Sequence, residues 1–206
     1  FLISGNTISG NTITGTYGGI IYGIKAGGSM NINVESNIVT NNNILNTSGE
    51  FESSIYGYFN ESTVINHTIQ KNTFSNLVVG GSSTYSSNTV AGIYIRYSTN
   101  TTTSENTINS LSVSLGYMYG IYVYSGTLVK VNNNNIFDLT NIAGNPGVAN
   151  NSVSNNGTTL KGIFVDNISN TLIYNNFISD LKTSTSGNVL SIAGINFGYN
   201  GTSTRK

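Results

Sequence analysis

Apolar and polar residues alternate along most of this chain, in short runs. Ile93-Tyr94-Ile95, Ile121-Tyr122-Val123, Ile163-Phe164-Val165 and Leu128-Val129-Lys130-Val131 are examples. A period of two belongs to a half-buried β-strand, whose side chains point to opposite faces in turn. Gly, Asn and Ser clusters bound the runs, as turn residues do. Helical signals are weak, because Asn, Ser, Thr and Gly compete for backbone hydrogen bonds or cost entropy in a helix. The pattern predicts an all-β chain.

The runs also recur. A Gly followed by an apolar residue stands at Gly23-Ile24, Gly57-Tyr58, Gly92-Ile93, Gly120-Ile121, Gly162-Ile163 and Gly194-Ile195, at spacings of 34, 35, 28, 42 and 32 residues. A second anchor, Asn-x-apolar, stands at Asn11-Thr12-Ile13, Asn42-Asn43-Ile44, Asn72-Thr73-Phe74, Asn106-Thr107-Ile108, Asn134-Asn135-Ile136 and Asn176-Phe177-Ile178. From each Gly to the next apolar anchor the chain runs 21, 17, 16, 16 and 16 residues. The return arc varies from 10 to 26. Leu77, Leu111, Leu139 and Leu181 each follow the apolar anchor by three. One nearly fixed arc and one elastic arc suit coils stacked in register with loops on one side. About six coils at 4.8 Å each would make a rod roughly 29 Å tall. Residues 1–206 read as a single β-helix segment. With no initial Met and an end in mid-pattern, it is expected to be an internal piece of a longer protein.

These anchors resemble the right-handed parallel β-helix of the pectin-lyase-like fold, a β-solenoid. The Asn/Thr/Gly-rich repeats are similar to those of large surface proteins of Bacteroidetes-type bacteria. The resemblance implies an extracellular or cell-surface setting. It fits adhesins, polysaccharide lyases or hydrolases, and phage tail spikes alike, because fold alone does not fix function.

Composition narrows the choice. Charged residues make up 8% of the chain, with 8 Lys+Arg against 8 Asp+Glu, where about 25% is usual. No basic surface for nucleic acid follows from that balance. No apolar run reaches the roughly 18 residues of a membrane span, and the absence of Cys removes disulfides and thiolate metal sites. Polarity comes instead from 34 Asn, 27 Ser and 25 Thr. Six of the Asn (Asn11, Asn42, Asn72, Asn106, Asn134 and Asn176) form a column expected to stack as a turn-stabilising amide ladder.

Ionisable chemistry is sparse, which leans away from an enzyme. His67 is the only His and is expected on a polar β-surface. Asp138 and Asp180 both fall two residues after the apolar anchor, so adjacent coils should stack them. Such a pair is the candidate for carboxylate catalysis or for a weak Ca²⁺ site; otherwise no cofactor is expected. Lys161 and Lys182 lie loosely near them in sequence. Two residues after the Gly come Phe59, Tyr94, Tyr122 and Phe164. They form an outward aromatic stripe, either open to a glycan or another surface protein or covered by loops as a second small core. The expected function is a structural or adhesive rod. The alternatives are a carbohydrate-active enzyme carrying Asp138 and Asp180, and a tail-spike segment.

Overall fold

The computed structural model describes residues 1–28, 30–46, 51–81, 88–114, 116–142, 160–183 and 192–198. All regular elements among them are β-strands. The first coil holds β1 (Leu2–Ser4), β2 (Thr7–Ser9), β3 (Thr12–Gly15) and β4 (Ile20–Lys25). The second holds β5 (Asn31–Glu35), β6 (Ile38–Asn46) and β7 (Ser54–Asn60), and the third β8 (Val64–Gln70), β9 (Thr73–Gly81) and β10 (Thr89–Ile95). The fourth begins with β11 (Ser98–Ser104) and β12 (Thr107–Val113), then enters β13 (Tyr117–Asn132). β13 turns a corner at Ser125 (φ 63°) and so opens the fifth coil. After β14 (Asn135–Asn141), β15 (Leu160–Tyr174) turns likewise at Asn167 (φ 54°) into the sixth coil. That coil ends with β16 (Phe177–Ile178), β17 (Leu181–Thr183) and β18 (Ile192–Phe197).

Among the described residues no strand pairs with its neighbour in the chain. β8 lies between β5 and β11, β9 between β6 and β12, and β10 between β7 and β13, all in parallel. Each coil therefore has three faces: the second-face strands form one parallel sheet, and the first- and third-face strands form another, joined through the corner-turning β13 and β15. This is the all-β parallel solenoid that the two arcs predict. In chain order, most residues outside the described set separate second-face strands from third-face strands. Residues 143–159, within the longest return arc, are among them.

The core is a tube of stacked columns. Val34, Ile69 and Val131 line the first face, Val39, Phe74, Ile108 and Ile136 the second, and Tyr58, Ile93, Ile121 and Ile163 the third, all fully or almost fully buried. The strand register corrects the expected second-face column. Ile8, Val39, Phe74, Ile108, Ile136 and Ile178 align, whereas Ile13 and Ile44 belong to a column that continues as Val79 and Val113. With Val39 in place of Ile44, the fixed arc becomes 16, 17, 16, 16 and 16 residues.

That arc has a steric cause. It sets each third-face Gly from Gly23 to Gly162 directly against the second-face apolar residue that follows it. A Cβ on Gly92 would lie 2.6 Å from Ile108 Cγ2, and one on Gly120 2.7 Å from Ile136 Cγ2. The tube is so narrow here that only a residue without a side chain fits.

Candidate functional site

The Asn residues separate into two sets. Asn6, Asn37, Asn72, Asn106, Asn134 and Asn176 form one ladder, each Nδ2 donating to the next Asn Oδ1 at 2.9–3.0 Å. Each backbone N–H from Asn6 to Asn134 donates to the same oxygen. Each Nδ2 from Asn37 to Asn176 also donates back to a carbonyl of the preceding coil, as Asn106 does to Ile69. Asn11 and Asn42 lie outside this ladder and pair with one another at 2.7 Å. In their column the later coils carry Leu77, Leu111, Leu139 and Leu181. The left-handed residue at the corner is also not the ladder Asn. It is the residue before it: Gly5, Ser36, Lys71, Glu105, Asn133 and Asn175, with φ of 53–68°.

Asp138 (φ 55°) and Asp180 (φ 50°) occupy a second left-handed column, with Gly10, Asn41, Asn76 and Ser110. Small polar residues tolerate that conformation. Both carboxylates are about half exposed. Lys182 Nζ stands 3.6 Å from Asp138 and 4.0 Å from Asp180, and Ser110 Oγ donates to Asp138 at 3.0 Å. Among the described residues no three His, Asp or Glu side chains gather to hold a metal ion. Lys161, which the sequence sets loosely beside this pair, lies on another face.

His67 is buried in the tube and not on the polar surface expected of it. Its Nε2 and the Tyr58 hydroxyl share a hydrogen bond of 2.5 Å, and Nδ1 has no hydrogen-bond partner. Burial pushes its pKa down to about 4. Alternation breaks here because β8 turns Val64 inward and then passes two exposed residues, Ile65 and Asn66, before His67.

The aromatic residues are brought together. On the outer side of the third face, Lys25, Phe59, Tyr94, Tyr122, Phe164 and Asn196 align in one column. Beside it runs a second column, Tyr22, Tyr56, Ala91, Tyr119 and Lys161. Ring centroids lie 5.6 Å apart for Phe59 and Tyr94, 4.6 Å for Tyr94 and Tyr122, and 5.0 Å for Tyr122 and Phe164. Phe59 and Phe164 are 5% and 3% exposed, while Tyr94 and Tyr122 are half-buried. The band is thus partly a small outer core made of rings packed on rings. Phe59 stacks on Tyr94 and Tyr122 on Phe164, while Tyr94 and Tyr122 meet at a tilt. Burial pushes Tyr94 up to about 12 and raises Tyr119 and Tyr122 as well, so these phenols stay neutral near pH 7.

At the later coils the band carries a cleft of about 370 Å³ over the outer side of the paired strands β13 and β15. Register sets Tyr119 beside Lys161, Tyr122 beside Phe164 and Tyr124 beside Asp166, all lining the cleft. Lys161 is only 1% exposed, with Nζ 3.6 Å from the Phe164 ring centroid. Burial pushes its pKa down to about 8, opposed by Asp166. Its place was readable in principle. Tyr22, Tyr56, Tyr119 and Lys161 each stand one residue before the repeated Gly.

In comparisons with known proteins, no family profile, no curated protein and no solved structure matches the chain.

Proposed function

We propose that this chain is a structural or adhesive rod segment of a secreted or cell-surface protein, resembling pectin-lyase-like β-helices and Bacteroidetes-type surface repeats. It contacts a glycan or another surface protein through its aromatic side. The carrying observation is the two-column aromatic band on the outer side of a coil stack in which only 8% of residues are charged. A scaffold alone needs the inner columns and the Asn ladder. It does not need four successive coils to spend Phe59, Tyr94, Tyr122 and Phe164 on the outer side.

The test is binding of the purified chain to a glycan array and to extracted surface proteins. Binding should be present, and Tyr94→Ala combined with Tyr122→Ala should reduce it at least tenfold while leaving the β-sheet circular dichroism in place. Binding unaltered by the double substitution rejects the reading.

A carbohydrate-active enzyme using Asp138 and Asp180 is the contrasting reading. Lys182 already supplies positive charge to both carboxylates, which weakens the need for Ca²⁺ there. Depolymerisation of a polysaccharide by the chain, lost in Asp180→Asn, would reverse the ranking.

A further inference from the structure

We infer that the two ends of the coil stack fit one another, so that a second copy of this chain docks head to tail, its first coil against the sixth coil of the copy before. The inference stands apart from the adhesive reading, because it uses the ends of the rod and leaves the aromatic side alone.

The strand edges come first. Among the described residues, β1, β2, β3 and β4 pair on one side only, with β5, β6, β6 and β7 in turn. At the other end β16 and β17 pair only with β14, and β18 only with β15. An open edge is a template for another strand, and natural edges are blunted by charge or proline. Residues 1–24 contain no charged side chain and no Pro, and residues 168–197 contain only Asp180 and Lys182 as charged side chains.

The ladder corner decides what can join. Every step inside the rod makes the same set of bonds. Asn72 gives its N–H and Nδ2 to Asn106 Oδ1, and its carbonyl accepts from Thr107 N–H. Asn106 Nδ2 returns to the Ile69 carbonyl, and Lys71 N–H donates to the Ser104 carbonyl. By that repeat, Asn175 N–H, Asn176 N–H and Nδ2, and the Asn176 and Ile173 carbonyls face the open edge of the sixth coil. Asn6 Oδ1, Asn6 Nδ2, Thr7 N–H and the Ser4 carbonyl face the open edge of the first. Placing Asn6 of a second copy above Asn176 completes the set: Asn176 to Asn6 Oδ1, Thr7 to the Asn176 carbonyl, Asn6 to the Ile173 carbonyl and Asn175 to the Ser4 carbonyl. Each end supplies what the other lacks.

The side chains agree with this register. Ile173 meets Ile3, Ile178 meets Ile8, and Ile195, 46% exposed, meets Ile24. Their equivalents inside the rod, Ile69, Ile108 and Ile121, are fully buried. Lys25 stands opposite Asn196, and Lys182 opposite Thr12, so no like charges oppose one another. The two ends are different surfaces, and a contact between them extends into a filament without closing.

The experiment is sedimentation velocity of the 206-residue chain over a range of concentrations. Multiples of the monomer mass should appear and lengthen as concentration rises. Thr7→Pro removes an N–H that faces the open edge, where Pro is accommodated. It should raise the concentration needed for association at least tenfold, with circular dichroism and melting temperature close to those of the parent. Position-specific linking gives a second measurement. Leu2 and Leu172 are exposed and share one outer column, so the register sets them side by side across the junction. Within one chain they are five coil steps, roughly 24 Å, apart, beyond the reach of a disulfide. The chain has no Cys of its own. Leu2→Cys combined with Leu172→Cys should give a ladder of covalent multimers on mild oxidation, under conditions where either single variant stays unlinked. A parent that is monomeric at every concentration overturns the inference. So does a closed dimer of fixed mass, or linking by the Leu2→Cys variant alone, which means like ends meet. Association undiminished in Thr7→Pro, with no covalent ladder in the double variant, places the contact on the side of the rod and also overturns it.

Discussion

Asn106 joins three coils through one side chain. It donates to Ile69 of the preceding coil and to Asn134 of the next, and its Oδ1 accepts from Asn72. Each buried group left unsatisfied costs about 1–3 kcal/mol. Asn106→Ala is therefore expected to lower the melting temperature markedly, whereas Asn11→Ala, at the exposed first coil, should lower it little. Equal effects would show that the ladder carries no special share of stability. His67 gives a second prediction at this scale. It binds a proton near pH 6.5 when unfolded and only near pH 4 when folded. As pH falls, the unfolded chain takes up its proton first. Stability is full above about pH 6.5 and declines toward pH 4, by about 3 kcal/mol in all. Urea midpoints at pH 4.5 and 7.5 should differ clearly in the parent, and much less in His67→Gln. The burial of His67 was not legible in the sequence, because Ile65 is apolar yet points to solvent and Asn66 follows it outward.

At the level of the strand, the repeated Gly was legible as a position and its partner was not. Spacing alone assigned Ile44 to Gly23, because Asn42-Asn43-Ile44 has the same form as Asn72-Thr73-Phe74. Asn37 also precedes an apolar pair, Ile38-Val39, but with no residue between the Asn and the first apolar one. A motif of three residues cannot separate two slots five residues apart when both take Asn and an aliphatic side chain. Packing separates them, since Gly23 must face Val39. The same crowding predicts a contrast within one column. Gly92→Ala would force a Cβ to 2.6 Å from Ile108 and 2.9 Å from the Gly120 carbonyl oxygen. It should destabilise by about 1–3 kcal/mol, the usual cost of overpacking. Gly194 has open space around it, so Gly194→Ala should leave the denaturation midpoint unchanged. The aromatic band shows the same division. The two-residue offset after each Gly places its column, but the burial of Phe59 and Phe164 depends on rings of the neighbouring column, Tyr22, Tyr56 and Tyr119. No single repeat reveals that.

For the whole molecule, the ladder has a consequence for how the rod tolerates change. Successive ladder residues are 31, 35, 34, 28 and 42 positions apart, yet each makes the same bonds above and below. The parts are interchangeable at the level of the coil, even though they are intolerant at the level of the atom. Excising residues 72–105 would join Lys71 to Asn106, bring Asn37 and Asn106 into contact, and lay Val39 against Ile108 in unbroken register. Stability in such an array is close to a sum over coils and their interfaces. The shortened rod should fold cooperatively, with a smaller unfolding enthalpy, as read by calorimetry. Removing half that length should instead give a chain that aggregates. Evolution of such a rod is then free to change its reach by whole turns, as a ruler is lengthened by its own divisions.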